Sequence, residues 1–562
     1  CATAALGAPA PPSIESWPLC ELIGPGAQRP GVYGTDLGFT FRHPYRDAAG
    51  AVDERIVFFF GDTWPTFDSP CTEPPWTNDD TMATLRVADL PEYPSGPPGT
   101  GASAPRCPVL DFAVPDPLHD RPLRVVHEGR DLSMSYNRTP LAGWSDGRRP
   151  YGLFTAAEIA TCASDGECGA GQSCLRGELG RCTVDPCPAG QECPRDPRID
   201  EVLSPPVCRL DRNDCAAPFS PRRRCAPDRD DRGMCTDATG SMWVTGSAAH
   251  PDDPDRRLLA TMWVYVAVED EKRPNVWQSV SRFSTAKFVN PAARTIAAFD
   301  PADPSRNDYR HGYDTLLVWG KPTFRGAEGA QALTYLLYNK LEPAAASDVM
   351  KWSPRYFGGY GDDGRPRWSD RESDAAPLYP FEFDVVNQIS VSWVEPLDAW
   401  VMLYGGDDTD GSATPTPRTH TEPAPGAVHL RWADHPWGAL KRDSPPAEGA
   451  WSEPFPVLRP TDTPGWLACS AKGVPTGCAE GDRVRPIDFF RARMTGIDCR
   501  AGNHSLDRGI FYSAHVIDEL TRPVPPSKPG ARAAEVVWDI STWNPYAVML
   551  VKTRIEIAPG ER

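Results

Sequence analysis

The chain has 562 residues, and its 76 acidic against 58 basic side chains give a formal net charge of −18. This acidic balance disfavours nucleic acid and anionic membrane surfaces as main partners. Proline, with 63 residues, is about twice as frequent as usual and costs about 3 kcal/mol inside a helix, which disfavours a helical bundle. Because 40% of the residues are hydrophobic, we expect a folded chain rather than a disordered one.

Residues 1–30 are expected to be an N-terminal tether and lead-in, because small residues and proline follow Cys1 closely. A chain that begins with cysteine resembles a mature bacterial lipoprotein, which carries a lipid on that thiol and is held at a membrane. A lipid on Cys1 would also explain the odd total of 17 cysteines. The alternative is an arbitrary start of the sequence. A lipid anchor on Cys1 predicts an extracytoplasmic location, at a bacterial outer surface or in the periplasm.

Residues 31–160 contain the first strong strand signals, at 37–41 and 56–60, followed by a Pro/Gly-rich stretch. Residues 161–236 hold ten cysteines whose spacing does not match a zinc site, and we predict a disulfide-rich insertion. Disulfides on this scale imply an oxidising compartment. Residues 237–562 continue with short strands in recurrent hairpins and have almost no helical periodicity. This pattern indicates an all-β sandwich, barrel or propeller, and hairpins recurring over some 400 residues favour a propeller. We expect residues 31–160 to form its first blade, with long loops, and residues 237–562 to form the remaining blades.

Two aspartates stand at the ends of the first predicted hairpin, and they are our candidates for catalysis. Asp36 begins one strand and Asp62 ends its partner, so a turn near Gly50 places the two nearly opposite each other. Carboxylates this close differ in proton affinity, which gives the acid and the base that glycosidic bond cleavage needs. The alternative is that both aspartates cap turns, where Asp is common.

Further candidates for substrate binding follow the first hairpin or occur late in the chain. The run Asn78, Asp79 and Asp80 could bind substrate hydroxyls, or Ca²⁺ through its oxygen atoms, although such a run is more often a turn. Trp64 and Trp543 suit stacking on sugar rings, but tryptophan is also common in a propeller core. The Asp-rich segment 405–410 has the same ambiguity between a Ca²⁺ site and a solvated loop.

An ordered set of motifs resembles a bacterial family of domains of unknown function that includes endo-D-arabinanases. The first two motifs are GTDLG at 34–38 and FFGDT at 59–63. They are followed by LLVWG at 316–320 with Arg325, the hairpin at 390–404, VHLRWA at 428–433, WSEP at 451–454 and STWNPY at 541–546. The resemblance implies a five-bladed β-propeller that hydrolyses glycosides with the two motif aspartates, Asp36 and Asp62. We also expect Arg325, Trp543 and Asn544, which lie in or beside these motifs, to contact the substrate.

Two hypotheses of different classes follow from these observations. The first is a surface-anchored glycoside hydrolase that cleaves a furanose-rich polysaccharide such as D-arabinan, using Asp36 and Asp62. The second is a non-catalytic lipoprotein that binds a glycan or a protein partner, for example within a surface assembly. A sialidase-like propeller is a weaker third option, because no set of converging arginines recurs in the motifs.

Overall fold

The computed structural model describes the chain with gaps. The described residues are 13–23, 32, 35–46, 49–61, 63, 80–96, 107–112, 123–127, 130–133, 139–159, 161–167, 172–176, 179–184, 207–209, 211, 223–226, 233–237, 247–249, 257–270, 273–284, 286–322, 333–342, 350–378, 386–405, 428–438, 451–452, 454–458, 511–542 and 547–557.

The described residues form strands and short 3₁₀ helices, with no α-helix among them. The first strand is β1 (Ser13–Ile23). Blade one contains β2 (Leu37–Arg46), β3 (Val52–Phe60), β4 (Thr81–Arg86) and β5 (Asp111–Phe112). Blade two and the insertion within it contain β6 (Arg124–His127), β7 (Arg130–Ser133), β8 (Pro140–Ser145), β9 (Pro150–Ile159), β10 (Thr161–Cys162), β11 (Gln172–Leu175), β12 (Leu179–Val184), β13 (Val207–Arg209), β14 (Arg223–Ala226), β15 (Gly233–Asp237), β16 (Ser247–Ala249), β17 (Arg257–Asp270) and β18 (Arg273–Ser284).

The other three blades follow in chain order. Blade three contains β19 (Asn290–Ala298), β20 (Asp308–His311), β21 (Thr315–Lys321), β22 (Tyr335–Lys340), β23 (Arg355–Tyr360) and β24 (Pro366–Ser369). Blade four contains β25 (Val386–Val394), β26 (Ala399–Gly405), β27 (Val428–Ala433) and β28 (Phe455–Leu458). Blade five contains β29 (Phe511–Val516), β30 (Arg522–Pro523), β31 (Arg532–Thr542) and β32 (Ala547–Ile557). The 3₁₀ helices are Val87–Asp89, Asp165–Glu167, Pro304–Arg306, Glu372–Asp374, Glu395–Leu397 and Asp518–Leu520.

The five blades surround a common axis, and the predicted all-β five-bladed propeller is confirmed. The inner strands β2, β8, β19, β25 and β29 each contact the inner strand of the next blade, and β29 returns to β2. Five hydrophobic cores lie between neighbouring blades, one for each pair. Sheets bury both faces in this arrangement, which explains why β3 ends in the continuous apolar run Phe58, Phe59 and Phe60, each at most 1% exposed.

The N-terminal strand β1 closes the ring, although the sequence pattern predicts only a lead-in there. It pairs antiparallel with β32 and forms the outer edge of blade five. A disulfide from Cys20 to Cys107 joins this strand to the segment that precedes β5 of blade one. Strand and disulfide therefore connect the two ends of the propeller. The pattern of residues 13–23 is weak because the strand lies at an edge, where only one side pairs.

The blade boundaries also differ from the predicted segments. Residues 31–160 were expected to form one blade, but they contribute blade one and the strands β6 to β9 of blade two. The cysteine-rich segment then interrupts blade two, since β9 pairs directly with β17 across the insertion. Short strands separated by Pro/Gly-rich segments do not reveal which hairpins share a sheet, because that depends on pairing between distant residues.

The insertion has disulfides, as its composition predicts. Cys162 is bonded to Cys174, and Cys225 is also in a disulfide. The strands β12, β13 and β14 form a separate three-stranded sheet. These bonds and the one at Cys20 indicate an oxidising, extracytoplasmic compartment. Among the described residues, we find no helix whose length and hydrophobicity together would let it span a membrane.

One arginine connects three other strands of the ring at the axis. Arg294 of β19 donates its Nε to Ser392 Oγ of blade four at 2.9 Å. Its terminal nitrogens donate to the backbone oxygens of Thr40 in blade one, at 3.2 Å, and of Val516 in blade five, at 3.0 Å. The carboxylate of Asp518 lies 3.3 Å from Nε. This guanidinium therefore satisfies edge carbonyls that have no neighbouring strand to pair with.

We expect Arg294→Met to destabilise the fold strongly, by about 3–5 kcal/mol, because it removes a largely buried charge from its partners. The control is Arg310→Met, which removes a 63% exposed guanidinium paired with Asp308 on the surface. Such exposed pairs contribute at most about 1 kcal/mol. Chemical denaturation of the disulfide-intact proteins measures both free energies of unfolding. Equal losses in the two variants would show that Arg294 does not hold the ring together.

Candidate functional site

The inner strands are irregular at the end where they begin. Their register shifts lie between Leu37 and Phe39 in β2, between Pro140 and Ala142 in β8, between Val386 and Ile389 in β25, and between Tyr512 and His515 in β29. In four of the five inner strands, the shift therefore falls near the first residue. Such bulges redirect side chains and are frequent beside active sites. The candidate Asp36 lies at this end.

Backbone strain is concentrated at the same place. Leu37 has φ +65° and Ser513 has φ +58°, and these are two of the three non-glycine residues with positive φ in the described chain. Gly38 follows Leu37 with φ +122°, a conformation that L-residues avoid. Residues held in such conformations cost about 1–3 kcal/mol each and cluster at functional sites. These residues directly follow Asp36 and its hydrogen-bond partner Tyr512 in the chain.

Asp36 lies at the edge of blade one and is 7% exposed. Its backbone oxygen accepts a hydrogen bond from the N–H of Gly61 at 3.0 Å, which continues the β2–β3 hairpin to the end of the predicted motifs. A Cβ on Gly61 would stand 2.2 Å from Asp36 Oδ1, so only glycine leaves room for this carboxylate. The hairpin turn falls at Gly50, as the sequence predicts. Tyr512 donates its hydroxyl to Asp36 Oδ2 at 2.6 Å.

Two threonine hydroxyls fasten the motif strands beside Asp36. Thr35 Oγ1 and Thr63 Oγ1 are 2.8 Å apart, and both hydroxyls donate to the backbone oxygen of Gly61, at 3.2 Å and 2.7 Å. Both threonines are at most 2% exposed. Their hydrogen bonds fix the backbone on either side of the first motif aspartate. The threonines of the two motifs, GTDLG and FFGDT, therefore have a structural role.

Asp80 lies on the other side of β3 from Asp36. It directly precedes Thr81, which pairs with Phe60, and its side chain is fully buried. Since adjacent strands are about 4.8 Å apart, the backbones of Asp36 and Asp80 lie roughly 10 Å apart at one edge of the sheet. The structure thus brings two of the predicted residues to the same end of blade one.

The other predicted site residues lie outside the described part of the chain. These are Asp62, Trp64, Asn78, Asp79, Arg325, Trp543 and Asn544, together with Cys1 and the Asp-rich segment 406–410. Their roles remain predictions. Within the described residues, no group of three or more His, Cys, Asp or Glu side chains could hold a metal ion.

A second buried carboxyl, Asp539, lies against the strained motif. It is fully buried on β31, and its Oδ1 is 3.9 Å from Nδ1 of His515. A Cβ on Gly38 would stand 2.4 Å from Asp539 Oδ2. Burial raises the pKa of Asp539 well above its usual range, although the backbone N–H of His515 and the Arg294 guanidinium act in the opposite direction. Burial also lowers the pKa of His515 to about 3. His515 is therefore uncharged at neutral pH, and burial favours the neutral form of Asp539.

The site contains residues that the sequence did not single out. Tyr512 is one, since nothing local relates it to a carboxylate far earlier in the chain. Asp539 could have been noticed, because it stands inside the apolar run 536–540 as a charged residue type. Lys321 is likewise a charged residue type at the end of an apolar strand, β21. It is fully buried, and burial lowers its pKa to about 7. Lys321 pairs in register with Asn290 at the beginning of β19.

Comparison with known proteins identifies no family for this chain. It matches no protein-family model and no curated protein. The resemblance to propeller arabinanases therefore remains a prediction based on the motifs, while the fold itself is established.

We expect Asp539→Asn to remove a pH dependence of stability. The raised pKa means that, as pH rises above 3.8, the unfolded chain loses this proton while the folded chain retains it. Wild-type stability therefore falls with rising pH through this group, and the amide, which does not titrate, abolishes that fall. In a scan from pH 4 to pH 8, the free energy of unfolding of Asp539→Asn minus that of the wild type should increase with pH until the raised pKa of the folded state is reached. A difference that stays constant over this range contradicts the buried neutral carboxyl.

We expect Gly38→Ala to destabilise the protein more than Gly50→Ala does. Both glycines have positive φ, so alanine is strained at either position by about 1–2 kcal/mol. At Gly50 a Cβ meets nothing within 4 Å, whereas at Gly38 it collides with the Asp539 carboxyl. Thermal or chemical unfolding of the two variants measures the contrast. Equal losses would mean that the carboxyl moves aside without cost.

Proposed function

We propose that this protein is a glycoside hydrolase in which Asp36 and Asp62 perform the acid–base chemistry. The observation that carries this proposal is the position of Asp36. It is a buried carboxyl at the bulged end of the inner strands. It accepts a hydrogen bond from Tyr512, and it packs against Gly61, where a larger residue would collide with it. Glycosidic bond cleavage needs two carboxyl groups in fixed positions, and rigid strands provide them better than loops do.

A furanose-rich polysaccharide is the proposed substrate class, and D-arabinan is its first candidate. This part of the proposal is supported by the motif resemblance and is compatible with the five-bladed propeller. The extracytoplasmic compartment indicated by the disulfides is also where a polysaccharide of the cell envelope would be encountered. Tryptophan residues near the motifs, such as Trp64 and Trp543, would stack on sugar rings.

The test is a screen of purified polysaccharides, with arabinan first, for newly formed reducing ends. We expect the wild type to release products, and Asp36→Asn or Asp62→Asn to lower turnover by at least about 10³-fold, because each removes one proton-transferring group. The matched control is Asp89→Asn on the surface of blade one, whose carboxylate is 60% exposed. This control should retain full activity.

Two outcomes would contradict the proposal. Near-normal turnover in both motif variants would show that other groups catalyse the reaction. Binding of a glycan without any release of reducing ends would favour the non-catalytic, glycan-binding hypothesis. Circular dichroism of each variant separates a loss of chemistry from a loss of folding.

A further inference from the structure

Tyr512 and Asp36 form a hydrogen bond that joins the two blades at which the ring closes. The donor and acceptor are 476 residues apart and 2.6 Å from each other. Tyr512 is half-buried and packs against the core between blades one and two, so its ring has support from that side. The bulge and the positive φ of Ser513 directly follow it in β29. The backbone is thus distorted where this side chain is aimed at the carboxylate.

A phenol hydroxyl at this distance favours one protonation state of its partner. It donates its proton to Oδ2, and a donated hydrogen bond stabilises a carboxylate more than a neutral acid. A second carboxyl, Asp539, lies against Gly38 of the same motif, and burial raises its pKa, which favours its neutral form and weakens any repulsion of a charge on Asp36. Burial lowers the pKa of His515, whose Nδ1 is 3.9 Å from Asp539 Oδ1, to about 3, so this side chain adds no positive charge beside Asp539 at neutral pH.

We propose that Tyr512 is a positioning residue that keeps Asp36 ionised, so that Asp36 acts as base or nucleophile and Asp62 as the acid. This inference rests on the proposed function and assigns the roles within it. In either mechanism, the proton given to the departing sugar oxygen comes from Asp62. As the bond from the anomeric carbon to that oxygen breaks, either water bonds to the carbon and gives a proton to Asp36, or Asp36 itself bonds to the carbon. In the second case, water deprotonated by Asp62 then cleaves the bond between the sugar and Asp36. Tyr512 keeps its own proton throughout.

The decisive experiment compares the pH–rate profiles of the wild type and Tyr512→Phe on the polysaccharide that the wild type cleaves. If Asp36 must be ionised, losing the donor shifts the acid limb of kcat/KM to higher pH by about one unit, tenfold in proton affinity. The alkaline limb and the KM should stay unchanged. The matched control is Tyr45→Phe, which removes a hydroxyl that donates to another carboxylate, Glu269, at 3.3 Å.

Each other outcome overturns part of the assignment. A shift of the alkaline limb instead would make Asp36 the acid and reverse the roles. A uniform loss at every pH, shared with Tyr45→Phe, would show a merely structural hydroxyl.

A second measurement needs no substrate. A hydrogen bond to a charged carboxylate contributes stability above the unfolded pKa of aspartate, and this contribution disappears as the acid forms at low pH. The loss of unfolding free energy in Tyr512→Phe should therefore be present at pH 7 and shrink below pH 4. A loss independent of pH refutes the charge preference. If the wild type cleaves no polysaccharide, the catalytic roles fall with the proposed function, while this measurement still decides whether Tyr512 holds Asp36 ionised.

Discussion

The propeller depends on satisfying the backbone edges that meet at its axis. In the described part of the chain, the inner strands β2, β8, β25 and β29 each pair on one side only, whereas β19 pairs with β21 on one side and with the short strand β20 on the other. The unpaired edges face the inner strands of neighbouring blades. Arg294 supplies donors to the edge carbonyls of Thr40 and Val516, and Ser390 Oγ accepts the N–H of Val516. A single guanidinium with fixed donor geometry does this better than a flexible ammonium would. Stability at the axis therefore comes from polar side chains, whereas between the blades it comes from apolar cores.

At the outer rim, the ring is closed by residues from both ends of the chain. Strand β1 closes the ring by pairing with β32, and the Cys20–Cys107 disulfide adds a covalent bond between β1 and blade one. A buried ion network adds a polar contact at the same junction. Glu535 accepts from Arg522 at 2.7 Å and from the N–H of Gly96, fastening a blade-one segment to blade five. Asp36 and Tyr512 face each other at this closed junction, so the geometry of the candidate site depends on closure.

The sequence pattern predicts structure that depends on residues close together in the chain. The hairpin from Asp36 to Gly61 follows from the strand signals at 37–41 and 56–60 and a turn near Gly50, and the structure has this hairpin. The strand at 13–23 and the pairing of β9 with β17 could not be predicted, because they depend on contacts between distant residues. The hydrogen bond from Tyr512 to Asp36 belongs to the same class, since no spacing relates two residues 476 positions apart. The buried acid in the apolar run 536–540 was visible in the sequence, but only the fold shows that it meets Gly38.

The cost of the strained motif is itself an argument for its function. Leu37 and Ser513 have positive φ without being glycine, and Asp539 is buried as an acid where an apolar residue would be cheaper to fold. A purely structural strand end has no need of these features, since the other inner strands begin without any non-glycine residue of positive φ among those described. Leu37 directly follows Asp36, Ser513 directly follows its hydrogen-bond partner Tyr512, and Asp539 lies against Gly38 of the same motif. The positive φ values occur directly beside the hydrogen-bonded pair Asp36 and Tyr512, and burial favours the neutral form of Asp539. This arrangement favours a carboxylate held ready for chemistry over one that merely caps a turn.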